Sequence, residues 1–141
     1  MTQAGFEFLD HTADVGLRAT GASLSELFVH AARGLVALLA EDSAAAPAET
    51  RSVTITAESV EDLLSAWLTD VLVWFDAERF LPAAFRLDVV TDTVLRGQVD
   101  GERFDPERHV SGVEVKGVTR HQFLVGRTPD GGWEARIIFD V

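Results

Sequence analysis

The sequence predicts an α+β fold: two amphipathic helices packed on one face of a mixed or antiparallel β-sheet. Two stretches, near residues 24–39 and 60–75, repeat apolar residues at three- and four-residue steps. Short alternating stretches precede, separate and follow them, in the order β-β-α-β-α and then several strands. A helix with one apolar face needs a partner layer, and the strands supply it. At 141 residues the chain has the size of a single domain spanning residues 1–141. Its hydrophobic share of 47% against 25% charged is that of a globular protein able to bury one sizeable core.

Phe6 and Phe8 alternate with Glu7 and open a strand. Val15, Leu17 and Ala19 alternate with Gly16, Arg18 and Thr20 and form a second strand ending at Gly21. Ser23 and Glu26 have the spacing of a capping box, so a helix is expected over 23–40, with Leu24, Leu27, Phe28, Ala31, Leu35, Leu38 and Leu39 on its apolar side. "AEDSAAAPAET" is a loop of small residues, and "RSVTITA" a short strand. Ser59 caps a second helix, whose stripe runs Val60, Leu63, Leu64, Trp67, Leu68, Val71, Leu72 and Phe75, with Trp74 widening it. Such a stripe reads as core packing rather than a ligand pocket, because both helices have a sheet to cover. Residues 84–90 and 93–99 are expected to form a hairpin around "TDT". "DGERFDPERHVSG" reads as a polar loop, and 113–127 as one long strand bent at Gly117. "PDGG" is a hairpin turn signal before the last strand, "WEARIIFDV", with Trp133, Ala135, Ile137 and Phe139 on one face.

The composition excludes several functions. No cysteine is present, so there is no disulfide scaffold, thiolate zinc site or cysteine nucleophile. The N-terminal residues lack the pattern of a signal peptide, and no apolar run reaches bilayer length, so a soluble cytoplasmic protein is expected. A net charge of −11 repels a phosphate backbone, so strong direct binding of nucleic acid is not expected. It suits a cationic partner or a metal ion held by carboxylates. There is no Gly-rich phosphate loop, no G-x-S-x-G elbow and no H-E-x-x-H pair.

Three polar features remain. "FLDHTADVGL" gathers Asp10, His11, Thr12 and Asp14 between two strands; taken alone, it reads as a structural turn. The second is the acidic end of the last strand, Asp140 and Val141, anchored by Ile137, Ile138 and Phe139. If the strand from Val15 pairs antiparallel with the last strand, Asp14 meets Asp140 and the Val141 carboxylate. Three carboxylates at one corner call for a proton or cation, and hard oxygen donors favour Ca²⁺ or Mg²⁺, with Mn²⁺ also fitting. The third is "HVSGVEVKGVTRHQ", where Glu114 and Lys116 share one strand face and His121 points to the other. This reads as a solvated strand face with one half-buried histidine rather than a site built from His109, Glu114, Lys116 and His121.

"FLDHTADVGLRATGASLSELF", "LLSAWLTDVLVWFDAE", "ERHVSGVEVKGVTRH" and the final "DV" together resemble the archease family, in the family's order and from about Phe6 to Val141. Gly117 departs from the alanine frequent there. The resemblance implies an archease-type α+β fold and a role as accessory protein of the GTP-dependent, RtcB-type RNA ligase of tRNA splicing or RNA repair. Members promote guanylylation of the ligase and its multiple turnover, and are not themselves the enzyme. It also implies a divalent metal, calcium among the options, at Asp14, Asp140 and Val141. His11 and Lys116 match motif positions and are expected to support the site or dock the partner. Two other functions stay open: an independent metal-dependent hydrolase with His11 as general base, and a chaperone-like module or modulator of RNA modification.

Overall fold

The computed structural model describes residues 2–3, 5–9, 14–41 and 45–141. In chain order it runs β1 (Thr2–Gln3), β2 (Phe6–Leu9), β3 (Asp14–Gly21), α1 (Leu24–Leu39), β4 (Ala40–Glu41), β5 (Glu49–Thr56) and α2 (Val60–Glu78). Then follow β6 (Phe80–Val90), β7 (Val94–Arg103), β8 (Val110–Ser111), β9 (Gly117–Arg127) and β10 (Trp133–Asp140). All strand pairs are antiparallel, which settles the choice between mixed and antiparallel. They divide into a five-stranded sheet of order β1-β2-β3-β10-β9, a three-stranded sheet β5-β7-β6, and the small pair β4-β8.

Both helices start as the sequence predicts. Ser23 Oγ accepts the Glu26 N–H at 3.1 Å, and Glu26 reaches back to the Ala22 N–H at 3.2 Å. Ser59 Oγ accepts the Asp62 N–H at 3.1 Å. These bonds satisfy donors that the first helical turn leaves open. The α1 stripe and the α2 stripe then meet. Trp67 is fully buried, and its indole N–H donates to the Phe28 carbonyl at 3.0 Å. Truncating such a buried tryptophan typically costs about 3–5 kcal/mol.

Alternation sends one side of each strand in the five-stranded sheet toward the helices. Phe6, Leu17, Ala19, Ala135, Ile137 and Phe139 are buried there with Leu27, Ala31 and Leu35 of α1. Gly34 lets α1 approach β3 closely: a Cβ on it would stand 2.7 Å from the Leu17 methyl carbons. One core cluster includes residues of both larger sheets and both helices.

Three sequence expectations change. The hairpin is longer than 84–90 with 93–99, because pairing continues from Phe80–Arg103 to Val90–Leu95. The loop expected from residue 100 therefore starts only after Arg103, and residues 40–41 and 110–111 of the expected loops pair as β4 and β8. The long strand over 113–127 begins only at Gly117. Before it, Gly112 and Val113 donate to the carbonyls of Leu39 and Leu38, at 3.0 and 2.7 Å. Those backbone donors serve the end of α1, so the segment satisfies them without a sheet partner. The irregularity of β9 also lies beyond Gly117: Ile138 faces Thr119 and Arg136 faces Leu124, so residues 120–123 bulge out opposite Ile137.

The segment from Glu102 to His109 is held by a buried ion network that the sequence reading took for a solvated loop. Glu102 is buried, with Arg108 and the Ala46 N–H bound to its carboxylate. Arg108, above all, holds the Glu102 carboxyl down at about 2, with the Ala46 N–H adding to the effect. His109 is fully covered; its Nδ1 accepts the Asp105 N–H at 2.9 Å, which assigns the proton to Nε2, 3.3 Å from Glu102 Oε2.

Two outcomes follow for stability. Gly112→Ala sets a Cβ 2.0 Å from the Leu38 carbonyl oxygen, whereas a Cβ on Gly126 meets nothing within 4 Å. In urea denaturation, Gly112→Ala should lose about 1–3 kcal/mol and Gly126→Ala stay near neutral. Glu102 has a folded-state value below its ordinary 4.5, so its contribution is full above 4.5 and is lost as pH falls toward about 2. Glu102→Gln should therefore melt lower than the parent at neutral pH, and the gap should narrow across that acid window.

Candidate metal corner at the strand ends

The sequence argument for a site depends on one pairing, and the structure contains it. β3 and β10 pair antiparallel over eight positions, from Gly21–Trp133 to Asp14–Asp140. The last pair sets the two aspartates directly opposite each other. Residues opposed across an antiparallel pair project from the same sheet face, with Cβ atoms about 5 Å apart. That face is the one turned away from the helices, because Val15 and Phe139, the next pair inward, belong to the core side.

A third strand end completes the corner. Gly117 at the start of β9 is the other partner of Asp140, and the Lys116 N–H donates to the Asp140 carbonyl at 2.7 Å. Lys116 is exposed beside the buried Val115. Val141 lies next to Asp140, and its side chain packs against the core.

The sequence-predicted residues thus separate. Asp14, Asp140, Val141 and Lys116 come together. His11 lies outside the described residues, as do Asp10 and Thr12. His109 is buried in the Glu102 network, and His121 is exposed on the bulge of β9. Glu114 is exposed and precedes that strand. The sequence reading missed the parts played by the Lys116 N–H and by the side chain of Val141. Alternation could have flagged the second, since an apolar residue following an exposed aspartate suggests continued burial.

The donor chemistry suits a hard cation. The two carboxylates on one face supply oxygen donors, which hard cations prefer. Among the described residues no three histidine, aspartate or glutamate side chains gather at metal-binding distance. Further donors at the corner must come from main-chain oxygen, from water or from residues beyond the described ones.

Comparison with known proteins matches this architecture. Residues 6–141 fit the model of the Archease protein family. Protein archease of Sulfurisphaera tokodaii is 36% identical over 121 residues, 85% of this chain and 87% of that one. Protein archease of Pyrococcus furiosus is 32% identical over 139 residues, 96% and 98% of the two chains. The solution structure of protein 1598 from Methanobacterium thermoautotrophicum superposes with a TM-score of 0.80 at 37% identity, covering 99% of this chain and 100% of that one. A crystal structure from Thermotoga maritima, described as an archease and possible chaperone, shares the fold at a TM-score of 0.65 and 21% identity over 94% of both chains. The chain belongs to the archease family.

Proposed function

We propose that this chain is an accessory factor of a GTP-dependent, RtcB-type RNA ligase, acting in tRNA splicing or RNA repair through a divalent cation held at the strand-end corner. The observation that carries the reading is the Asp14–Asp140 cross-strand pair beside Val141. Asp14, Asp140 and the Val141 carboxylate would hold the ion, with Ca²⁺, Mg²⁺ and Mn²⁺ all suited to oxygen donors. When bound, the ion supplies positive charge that can orient phosphate oxygens of a nucleotide.

The chain's own residues do the rest. The two aspartates sit at strand ends fixed by sheet hydrogen bonds, so their carboxylates are positioned before any partner arrives. Lys116 flanks them through its backbone bond to Asp140 and offers a cation for docking. His11, three residues before Asp14 in the sequence, is assigned a supporting role. On this reading the accessory factor promotes guanylylation of the ligase and its repeated turnover, while the ligase performs the chemistry.

Two measurements test this. By calorimetry, the parent chain should bind Ca²⁺, and Asp14→Asn or Asp140→Asn should weaken binding at least about tenfold, or about 1.4 kcal/mol. Unchanged binding by both variants would remove the metal from the corner. With a purified ligase of this type and GTP, the parent should accelerate guanylylation, and the same two variants should lose most of the stimulation. Stimulation by parent and variants alike discards the carboxylates; none by the parent discards the accessory role. Phosphodiester hydrolysis by the chain alone would replace it with an enzyme.

A further inference from the structure

Asp70 stands in the middle of α2 without a counter-charge. Its neighbours one turn away, three and four residues to either side, are Ala66, Trp67, Val73 and Trp74, all apolar. α2 contains no lysine or arginine, so no ion pair can form along the helix. Asp70 is half-buried, and among the described residues nothing binds its carboxylate. Burial alone pushes that carboxyl above its ordinary value, the opposite of what a basic neighbour does. Carboxylates nearer the two ends of α2 are treated differently. Asp62 pairs with Arg120 and Glu78 with Arg51, each at 2.8 Å. Hydrogen bonds from those arginines hold both carboxyls below their ordinary values.

The surface around Asp70 is apolar. Trp67 is buried, and the half-buried Trp74 meets it edge to face, with ring centres 6.2 Å apart. Val73 is 52% exposed, high for a large apolar side chain. Arg51 approaches from β5, 4.2 Å from the centre of the Phe80 ring and 5.9 Å from that of Trp74, but its guanidinium is taken up by Glu78 through two N–H bonds. Asp70 is thus a partly desolvated carboxylate among apolar side chains, and no described residue supplies its cation. A charge in that setting costs free energy, which a counter-charge offsets.

We propose that the outward face of α2 around Asp70 is a docking surface for a partner protein that presents an arginine between apolar side chains, with the guanidinium on the Asp70 carboxylate and the apolar groups over Val73 and Trp74. Charge selects this occupant. A guanidinium bonds a carboxylate through two parallel N–H groups, tolerates an aromatic neighbour and gives up water more readily than an ammonium. A second copy of this chain does not fit. A two-fold contact through α2 sets the same acidic helix against itself, with no lysine or arginine on either side. The Asp14–Asp140 corner faces away from the helices, so the two surfaces are separate and either can fail alone.

Two measurements test this. Asp70→Asn removes the charge and keeps the shape. Because the carboxylate has no partner to lose, the variant should melt no lower than the parent at neutral pH. A lower melting temperature means that Asp70 serves the fold, and overturns the docking role. The ¹⁵N-labelled full chain is then titrated with the capped peptide Leu-Arg-Leu, and with the same peptide carrying citrulline, which keeps the shape of arginine without its charge. The arginine peptide should shift the amides of Asp70, Val73 and Trp74 and the Trp74 indole N–H. Citrulline in the peptide, or Asp70→Asn in the chain, should each weaken binding about tenfold. No shift up to roughly 10 mM peptide, or equal binding of the two peptides, or equal binding by parent and variant, overturns the surface. Shifts confined to Asp14 and Asp140 overturn it too, and assign the cation to the corner instead.

Discussion

The eight cross-strand pairs between β3 and β10 join the beginning of the chain to its last strand, and most of the molecule is arranged around them. Their register is dictated by the core. Leu17 opposes Ile137 and Ala19 opposes Ala135, and all four are buried against the helices. A slip of one residue would carry that apolar row to the solvent face and place charged neighbours inside. With the register fixed, parity does the rest: Asp14 and Asp140 must oppose each other, and must do so on the outer face. The hydrophobic pattern that folds the domain also juxtaposes the carboxylates. No separate device is needed to bring them together.

The third strand end depends on events far from the corner. Glu102 is a buried carboxylate, and burying a charge costs free energy unless donors compensate it. Arg108 and the Ala46 N–H bind it, and His109 Nε2 lies 3.3 Å from it. Together they hold β7 to the loop before β5 and carry the chain from β7 to β8. Gly112 and Val113 then close the end of α1, Val115 enters the core, and the Lys116 N–H reaches Asp140. The placement of Lys116 thus follows from a helix terminus and the Glu102 ion network as well as from the β9–β10 pairing that starts at the next residue.

This explains what the sequence could and could not reveal. Both helices were legible because their signals are local: a capping serine, an apolar stripe and no proline within either. Each of β3 and β10 was legible as a strand, whereas their pairing was a supposition; the Asp14–Asp140 contact follows once the two pair. The 100–116 region was not, because its order comes from partners distant in sequence. Glu102 and His109 look like solvent residues in a polar run, and only Ala46 and Phe104 around them make them interior. The bulge of β9 was misplaced to Gly117 for a related reason. A glycine marks where a strand is free to bend, whereas the observed bulge lies at residues 120–123, where Arg120 pairs with Asp62 of α2 at 2.8 Å.

The outer face of the sheet shows how charge is handled where function does not intervene. Arg18 and Arg136 oppose each other across β3 and β10, an unfavourable pairing, and Glu7 and Glu134 compensate it within the same face. Asp14 and Asp140 repeat the like-charge juxtaposition with the opposite sign, at strand ends held by the sheet on one side and by Val141 on the other. Strand ends held in this way keep the two residues opposed. The net charge of −11 favours cations over anions near the surface as a whole. On the proposed reading, fixed strand ends, more than the number of carboxylates, are what would let this corner receive a cation.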